Sequence, residues 1–349
     1  MSPFTVSVAR FLRVQLSRSC CPLWSRSASD DARKVVLDER RWGDRQAGTL
    51  LRVRLPCGAA VSAIEDGEPA AVVTATLVGA RHLRESPIAL SLDGAALTVT
   101  GVDGKVADLV CRLRVPFMTS IDVELSDGAQ ATLENLVLDQ CRVWTEGLGD
   151  IALSNVKANA VVLAVEDGSI TAKGAVQGNL EVTSWGSGGF KAQRLLSNHL
   201  KVKTLAGEQY ISAVYAEKAY LYSTEGIIDI RTLHCQDAML SSQSGAIILG
   251  GLDGDQCSVM TGSGDVSVVV THSQHLSVAT DSGNVTVSLS APCEVSVEAP
   301  VVKSDFEDLL GGGVHYSSKS QILAKSCSGS VTVKKQDWIS SLNLGRGST

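Results

Sequence analysis

Three carboxylates, Glu208, Asp229 and Asp265, stand one or three residues after glycines that recur every 19 residues, so an acid pair on one face is the first chemistry to consider. Glycoside hydrolysis uses two carboxyl groups about 5 to 9.5 Å apart, one as acid and the other as base or nucleophile. Glu208 and Asp229 fall on neighbouring units and fit that geometry, although outward acids on a repeat also describe an ordinary solvated face. His272 and His275 lie three residues apart with Asp281 close in sequence, two imidazoles without a third convincing metal ligand. Asp253 and Asp255 in "GLDGD" lack the remaining ligands of a calcium loop. Thr204, Ser223, Ser242, Thr261 and Thr280 form a column of hydroxyls, but no base is positioned beside them by sequence. No GxSxG elbow, P-loop or GxGxxG turn is present. The residues therefore assign no catalytic side chain, no metal ligand and no cofactor site.

A repeat must position these groups. Gly207, Gly226, Gly245, Gly264 and Gly283 are each 19 residues from the next. Seven residues before them stand Leu200, Ala219, Ala238, Cys257 and Leu276; five before stand Val202, Leu221, Leu240, Val259 and Val278. Two after come Gln209, Ile228, Ile247, Val266 and Val285, and four after come Ile211, Ile230, Leu249, Val268 and Val287. Gln209 alone breaks the apolar columns. Alternation within a unit is the period of a strand with one buried face, and each glycine reads as a turn residue at positive φ. Repetition at about 20 residues marks a solenoid whose coils cover one another. The hydroxyl column, three before each glycine, separates this from a meander of hairpins. In a solenoid equivalent residues stack about 4.8 Å apart, so the hydroxyls can run as a hydrogen-bonded ladder.

The predicted fold is all-β: a parallel β-solenoid, β-helix-like, with 19-residue coils, preceded by a less regular β-rich N-terminal region. Looser units reach back through Gly189, Gly168, Gly149 and Gly128, and a last unit is anchored at Gly329 with Ser326 in the hydroxyl column. "LRVRLPCGAAVSAIEDG" from Leu51 resembles "CRLRVPFMTSIDVELSDG" from Cys111, each running strand, proline, strand and turn. The expected organisation is a mitochondrial transit peptide over 1–30, a β-rich region or cap over 31–110, and repeats over 111–335. An insertion is expected at about 290–321, within which "DFEDLLGGGVHYSSKS" from Asp305 reads as a loop or short helix, and 336–349 as a flexible tail.

Composition narrows the partners. A net charge of −6 leaves no basic footprint for nucleic acid, and no apolar run approaches the roughly 18 residues of a membrane span. Cys20, Cys21, Cys57, Cys111, Cys141, Cys235, Cys257, Cys293 and Cys327 contain no CxxC, the pattern of buried free thiols in a reducing compartment. Residues 1–29 carry Arg10, Arg13, Arg18 and Arg26 and no acid, with Phe4, Val8, Phe11, Leu12 and Leu16 interleaved. An Arg-rich, acid-poor amphipathic segment predicts a mitochondrial address, matrix in the simplest case; the arginines interrupt the apolar stretch a secretory signal needs.

Units of the form T-x-SG-[DN]-[VI]-x-[VL], following the "LRVP" strand at Leu113 to Pro116, resemble the "putative-adhesin" family of repetitive, toast-rack-like β-solenoid proteins. The resemblance covers about 110–335 and points to an animal member with a mitochondrial-type leader. It implies a repetitive β-stack and no catalytic residue, because the matching positions are turn and core residues.

Outward positions hold one less ordinary feature. Tyr220 and Met239 should stack on neighbouring coils, Tyr222 and Met260 share a column, and so do Tyr210 and Ile248. Apolar outward residues on one sheet suggest a partner-binding strip, unless the N-terminal region or the insertion covers them. The functional expectation is a non-enzymatic scaffold or binding protein for a protein partner, of undefined oligomeric state. The alternatives are a glycan-active hydrolase or lyase, and a secreted adhesin for which Asn284-Val285-Thr286 would be a glycosylation acceptor.

Overall fold

The computed structural model describes residues 35–42, 50–64, 72–79, 88–93, 96–101, 109–290, 293–306 and 320–336. The proposed leader, Cys20, Cys21, part of the insertion (291–292 and 307–319) and nearly all of the tail (337–349) lie outside the described residues. Among the described residues every regular element is a strand. Seven of them, Ile151–Val165, Ile170–Ser184, Phe190–Thr204, Gln209–Ser223, Ile228–Ser242, Ile247–Thr261 and Val266–Thr280, each run 15 residues. Consecutive members pair in parallel, with Ile211 beside Ile230, Ile230 beside Leu249 and Leu249 beside Val268. Parallel neighbours cannot be joined by a tight hairpin. Each long strand must instead wrap a whole coil before it meets its successor, which is the predicted solenoid and excludes the meander.

Within a coil the chain bends twice. In Gln209–Ser223 the pairing to the next coil skips Ser212 and Glu217, and the buried positions run 209, 211, then 214, then 219, 221 and 223. The coil thus has three sides, 209–211, 213–216 and 218–223, closed by the turn at 224–227. Columns of Val, Leu and Ile fill its interior, each buried side chain contributing about 1.5–3 kcal/mol relative to exposure. Gln209, the one polar residue in those columns, is fully buried; its Nε2 donates to Thr204 Oγ1 (3.0 Å) and to the Tyr222 carbonyl (2.8 Å). Nearer the N-terminus the bends use left-handed backbone at Asn135, Asn155 and Gly174 on successive coils, and Asn155 Nδ2 donates to Asn135 Oδ1 (3.2 Å).

The repeating glycines form a continuous column, but for a different reason from the one their spacing suggested. None of Gly207, Gly226, Gly245, Gly264 and Gly283 has positive φ. A Cβ on any of them would overlap the carbonyl oxygen of the equivalent glycine one coil below. Close backbone approach, not turn handedness, requires glycine there. The same column continues through Gly149, Gly168, Gly188 and Gly329. Gly188 rather than Gly189 holds the register, since Phe190 pairs with Gln209, and Ala129 rather than Gly128 lies beneath Gly149.

The hydroxyl ladder also takes a different form. Thr261 Oγ1 accepts from the Gly264 N–H (3.2 Å) and donates to the Gly245 carbonyl (3.0 Å); Thr280 does the same between Gly283 and Gly264 (3.0 Å each). Ser326 joins Gly329 (2.9 Å) to Gly283 (2.8 Å). These three hydroxyls bond glycine backbone on their own coil and on the coil below, Ser242 accepts from the Gly245 N–H of its own coil (2.8 Å), and Thr204 and Ser223 bond one another directly (3.3 Å). The relay satisfies buried turn amides that would otherwise be orphaned.

Both ends of the stack are laid down out of sequence order. At the C-terminal end Glu294–Glu298 and Val301–Ser304 form the outermost coil, and the later strands Gln321–Ser326 and Ser330–Lys335 sit inside it. Ile322 has Leu276 on one side and Val295 on the other; Val333 lies between Val287 and Ser304. Part of the expected insertion is therefore a terminal coil, with Pro300 in its turn and the edge charges Glu294, Glu298 and Lys303 that discourage further strand addition. At the other end Leu50–Leu55 and Gly58–Ala63 are inserted between neighbours in sequence: Val53 lies between Val99 and Val123, Val61 between Leu113 and Leu133. The two similar segments from Leu51 and Cys111 consequently pair crosswise, first strand with second. Antiparallel strands Val35–Trp42, Val73–Gly79 and Ile88–Asp93 finish this end.

Two substitutions isolate the turn column. Gly264→Ala should lower stability by about 3 kcal/mol in urea unfolding, whereas Gly251→Ala, whose Cβ meets nothing nearer than 3.6 Å, should stay within about 0.5 kcal/mol of the parent. Thr261→Val keeps the shape but strips the relay, and should cost about 2 kcal/mol where Thr261→Ser costs under about 1.

Candidate functional site

The six residues of the expected strip do occupy the expected columns, but on two sides of the coil rather than one sheet. Tyr210 and Ile248 share a column on the first side with Asp229 between them. Tyr220 stacks on Met239, and Tyr222, Ser241 and Met260 follow one another, all on the third side. There Tyr220 is 44% exposed, Met239 43% and Met260 37%, and among the described residues neither the N-terminal strands nor 293–306 cover them. Leu323, delivered by the late-returning strand Gln321–Ser326, joins them at 39%.

Side-chain size along one column shapes this side. The order is Lys201, Tyr220, Met239, Ser258, Ser277, Leu323 and Ser296. Two small serines between Met239 and Leu323 leave an open groove of ≈ 670 Å³. Its floor reaches the buried Ala238, Cys257, Leu276 and Ile322, and Asp237, Gln256, His275, Gln321 and Glu294 form a polar edge. An apolar side chain can enter between Met239 and Leu323 while its backbone meets hydrogen-bonding groups along that edge.

The titratable residues singled out by type are dispersed. His275 lines this groove, whereas His272 is on the second side, so the two imidazoles do not converge. Instead Tyr215, His234, Asp253 and His272 form a single outward column. The Tyr215 and His234 rings stack at 5.0 Å, and Asp253 faces His234 Nδ1 (3.1 Å) and His272 Nδ1 (3.6 Å). Type and proximity in sequence could not find this column; the 19-residue interval between its members could have. Asp255 accepts from Gln274 Nε2 (2.8 Å), away from Asp253's partners. Among the described residues no group of three His, Cys, Asp or Glu is placed to hold a metal ion.

The acids of the glycosidase reading have separate occupations. Asp265 is a turn residue whose Oδ1 accepts from the Asn284 N–H (2.7 Å) and Nδ2 (3.3 Å), and Asn284 Oδ1 in turn accepts from Ser330. Glu208 is hydrogen-bonded to the Tyr210 phenol and holds that phenol above its ordinary range. Asp229 sits beside Tyr210 in an open concavity with Lys191 and Arg231.

A Toastrack DUF4097 family model matches residues 173–336. The match thus spans the regular coils from Lys173 onward and the intercalated C-terminal end, including every residue of the groove. Solved structures similar to the chain include a "putative adhesin" from Bacteroides fragilis NCTC 9343, at 13% identity over 86% of this chain and 96% of that one, with a TM-score of 0.27. A "putative adhesin" from Parabacteroides merdae ATCC 43184 is 10% identical over the same shares, with a TM-score of 0.37. A "putative lipid binding protein" from Parabacteroides distasonis ATCC 8503 is also 10% identical over those shares, with a TM-score of 0.32. No helix among the described residues is long and apolar enough to cross a membrane.

Cys57, Cys111, Cys141, Cys235, Cys257, Cys293 and Cys327 are all free thiols. Burial pushes Cys57 up to about 11 and Cys111 and Cys141 up to about 12, from an ordinary 9.0. Native alkylation at neutral pH should therefore modify exposed Cys327 well before these three, as peptide mass spectrometry would show. Because the folded values lie above the unfolded ones, the neutral thiols support the fold fully below pH 9.0. That contribution should fall as pH rises from there toward about 12, seen as a declining urea midpoint.

Proposed function

We propose that the chain is a non-enzymatic β-solenoid scaffold that binds a protein partner through the third side of its coils. One observation carries this reading: Tyr220, Met239 and Leu323 stay exposed around a groove that Ser258 and Ser277 leave open, with Met260 exposed on the same side, where a solvated face would hold polar side chains. Aromatic and methionine side chains flanking a recess are what interface anchors consist of. An extended apolar segment fits the groove's outline better than a rigid sugar, since the floor is apolar and the polar groups line one edge. The address we propose is mitochondrial; it is supported by the acid-free, arginine-bearing segment 1–29.

Proximity labelling in cells, with the full chain and with Met239→Lys and Ser258→Tyr variants, tests the reading. Both substitutions lie on the surface and should leave stability within about 0.5 kcal/mol of the parent. Each should deplete the same neighbouring proteins by about tenfold or more. Identical labelling by all three would overturn the groove. Full chain found outside mitochondria, or import unaffected by deleting 1–29, would overturn the address.

A further inference from the structure

The first side of the stack carries a second concavity, chemically opposite to the groove. It holds ≈ 370 Å³ and is lined by Lys173, Lys191 and Arg231 together with Gln193, Tyr210, Ser212 and Asp229. The three cations come from separate coils, Ile170–Ser184, Phe190–Thr204 and Ile228–Ser242, so only the stacking brings them together. Two lysines elsewhere on the stack face acids: Lys201 meets Glu181 (2.5 Å) and Lys325 meets Glu298 (3.0 Å). Among the described residues Lys173 and Arg231 have no ion pair, and Lys191 Nζ lies over the Tyr210 ring at 5.6 Å from its centroid. Gly250, stacked on Arg231 in the next coil, offers no side chain to cover it.

From this arrangement we infer that the concavity binds a tetrahedral oxyanion, a phosphate or sulfate ester. Two ammonium groups and a guanidinium supply charge from several directions, and the guanidinium adds paired N–H donors suited to adjacent oxyanion oxygens. Thr171 and Ser212 add neutral hydroxyl donors to the lining. The Tyr210 ring gives a flat apolar wall for the group that carries the ester. Asp229 opposes the ligand's charge and limits affinity. This site is independent of the protein-binding groove, which lies on another side of the coil.

The full chain should be titrated with inorganic phosphate and glycerol phosphate by calorimetry, and with phosphatidylcholine vesicles containing phosphatidic acid by flotation. Binding in the soluble arm identifies a free ester as sufficient; binding only to vesicles identifies a lipid headgroup, and either result supports the oxyanion site. In the responding arm Arg231→Glu and Lys191→Glu should each weaken binding about tenfold and flatten its salt dependence. Lys203→Glu, an equal charge change on the third side, should do neither. Asp229→Asn should strengthen binding about two- to threefold, a gain that damage to the fold cannot produce. Absence of binding in both arms would overturn the inference, as would equal losses in Arg231→Glu and Lys203→Glu.

Discussion

The distance between successive turns governs the rest of the molecule. Each repeating glycine has its neighbour's carbonyl oxygen where a Cβ would stand, and at Gly264, Gly283 and Gly329 the threonine or serine three residues earlier bonds the glycine backbone of both coils. Backbone packed this tightly leaves no room for water, so the turn amides depend on that hydroxyl. Once the turns are locked at strand spacing, the Val, Leu and Ile columns must lie in register, and so must every outward side chain.

That register turns single residues into surfaces. A serine at 258 or 277 is unremarkable in one coil; between Met239 and Leu323 the pair becomes a groove. Lys173, Lys191 and Arg231 are far apart along the chain and meet across one concavity. Tyr215, His234, Asp253 and His272 likewise become a column although no two are near in sequence. Recognition by such a scaffold resides in which coils carry large, small or charged outward residues, while the inward residues stay nearly constant.

The ends pose a separate constraint, because the last coil of a parallel stack exposes unpaired backbone. Here both ends place a sequence-distant coil beneath the outermost one, Leu50–Ala63 at one end and Gln321–Lys335 at the other. The outermost C-terminal coil then needs neither the glycine nor the hydroxyl, and Ala299-Pro300 makes its turn instead. Leu323 reaches the groove only because its strand returns to the inner position.

Much of the fold was legible in the sequence, since burying one face of every coil forces a 19-residue recurrence of apolar, glycine and hydroxyl positions that a linear reading detects. The sequence by itself determined strand content, parallel stacking, the register of the central coils and which residues point outward. It assigned the glycines to positive φ and the hydroxyls to one another, because turn handedness and coil-to-coil approach leave the same residue pattern. Only the tertiary structure decided the two bends per coil, which divide Tyr210 and Ile248 from Tyr220, Tyr222, Met239 and Met260, and the order of the end coils, which interrupts the repeat. Both depend on contacts between residues distant along the chain, whose pairing no local period records.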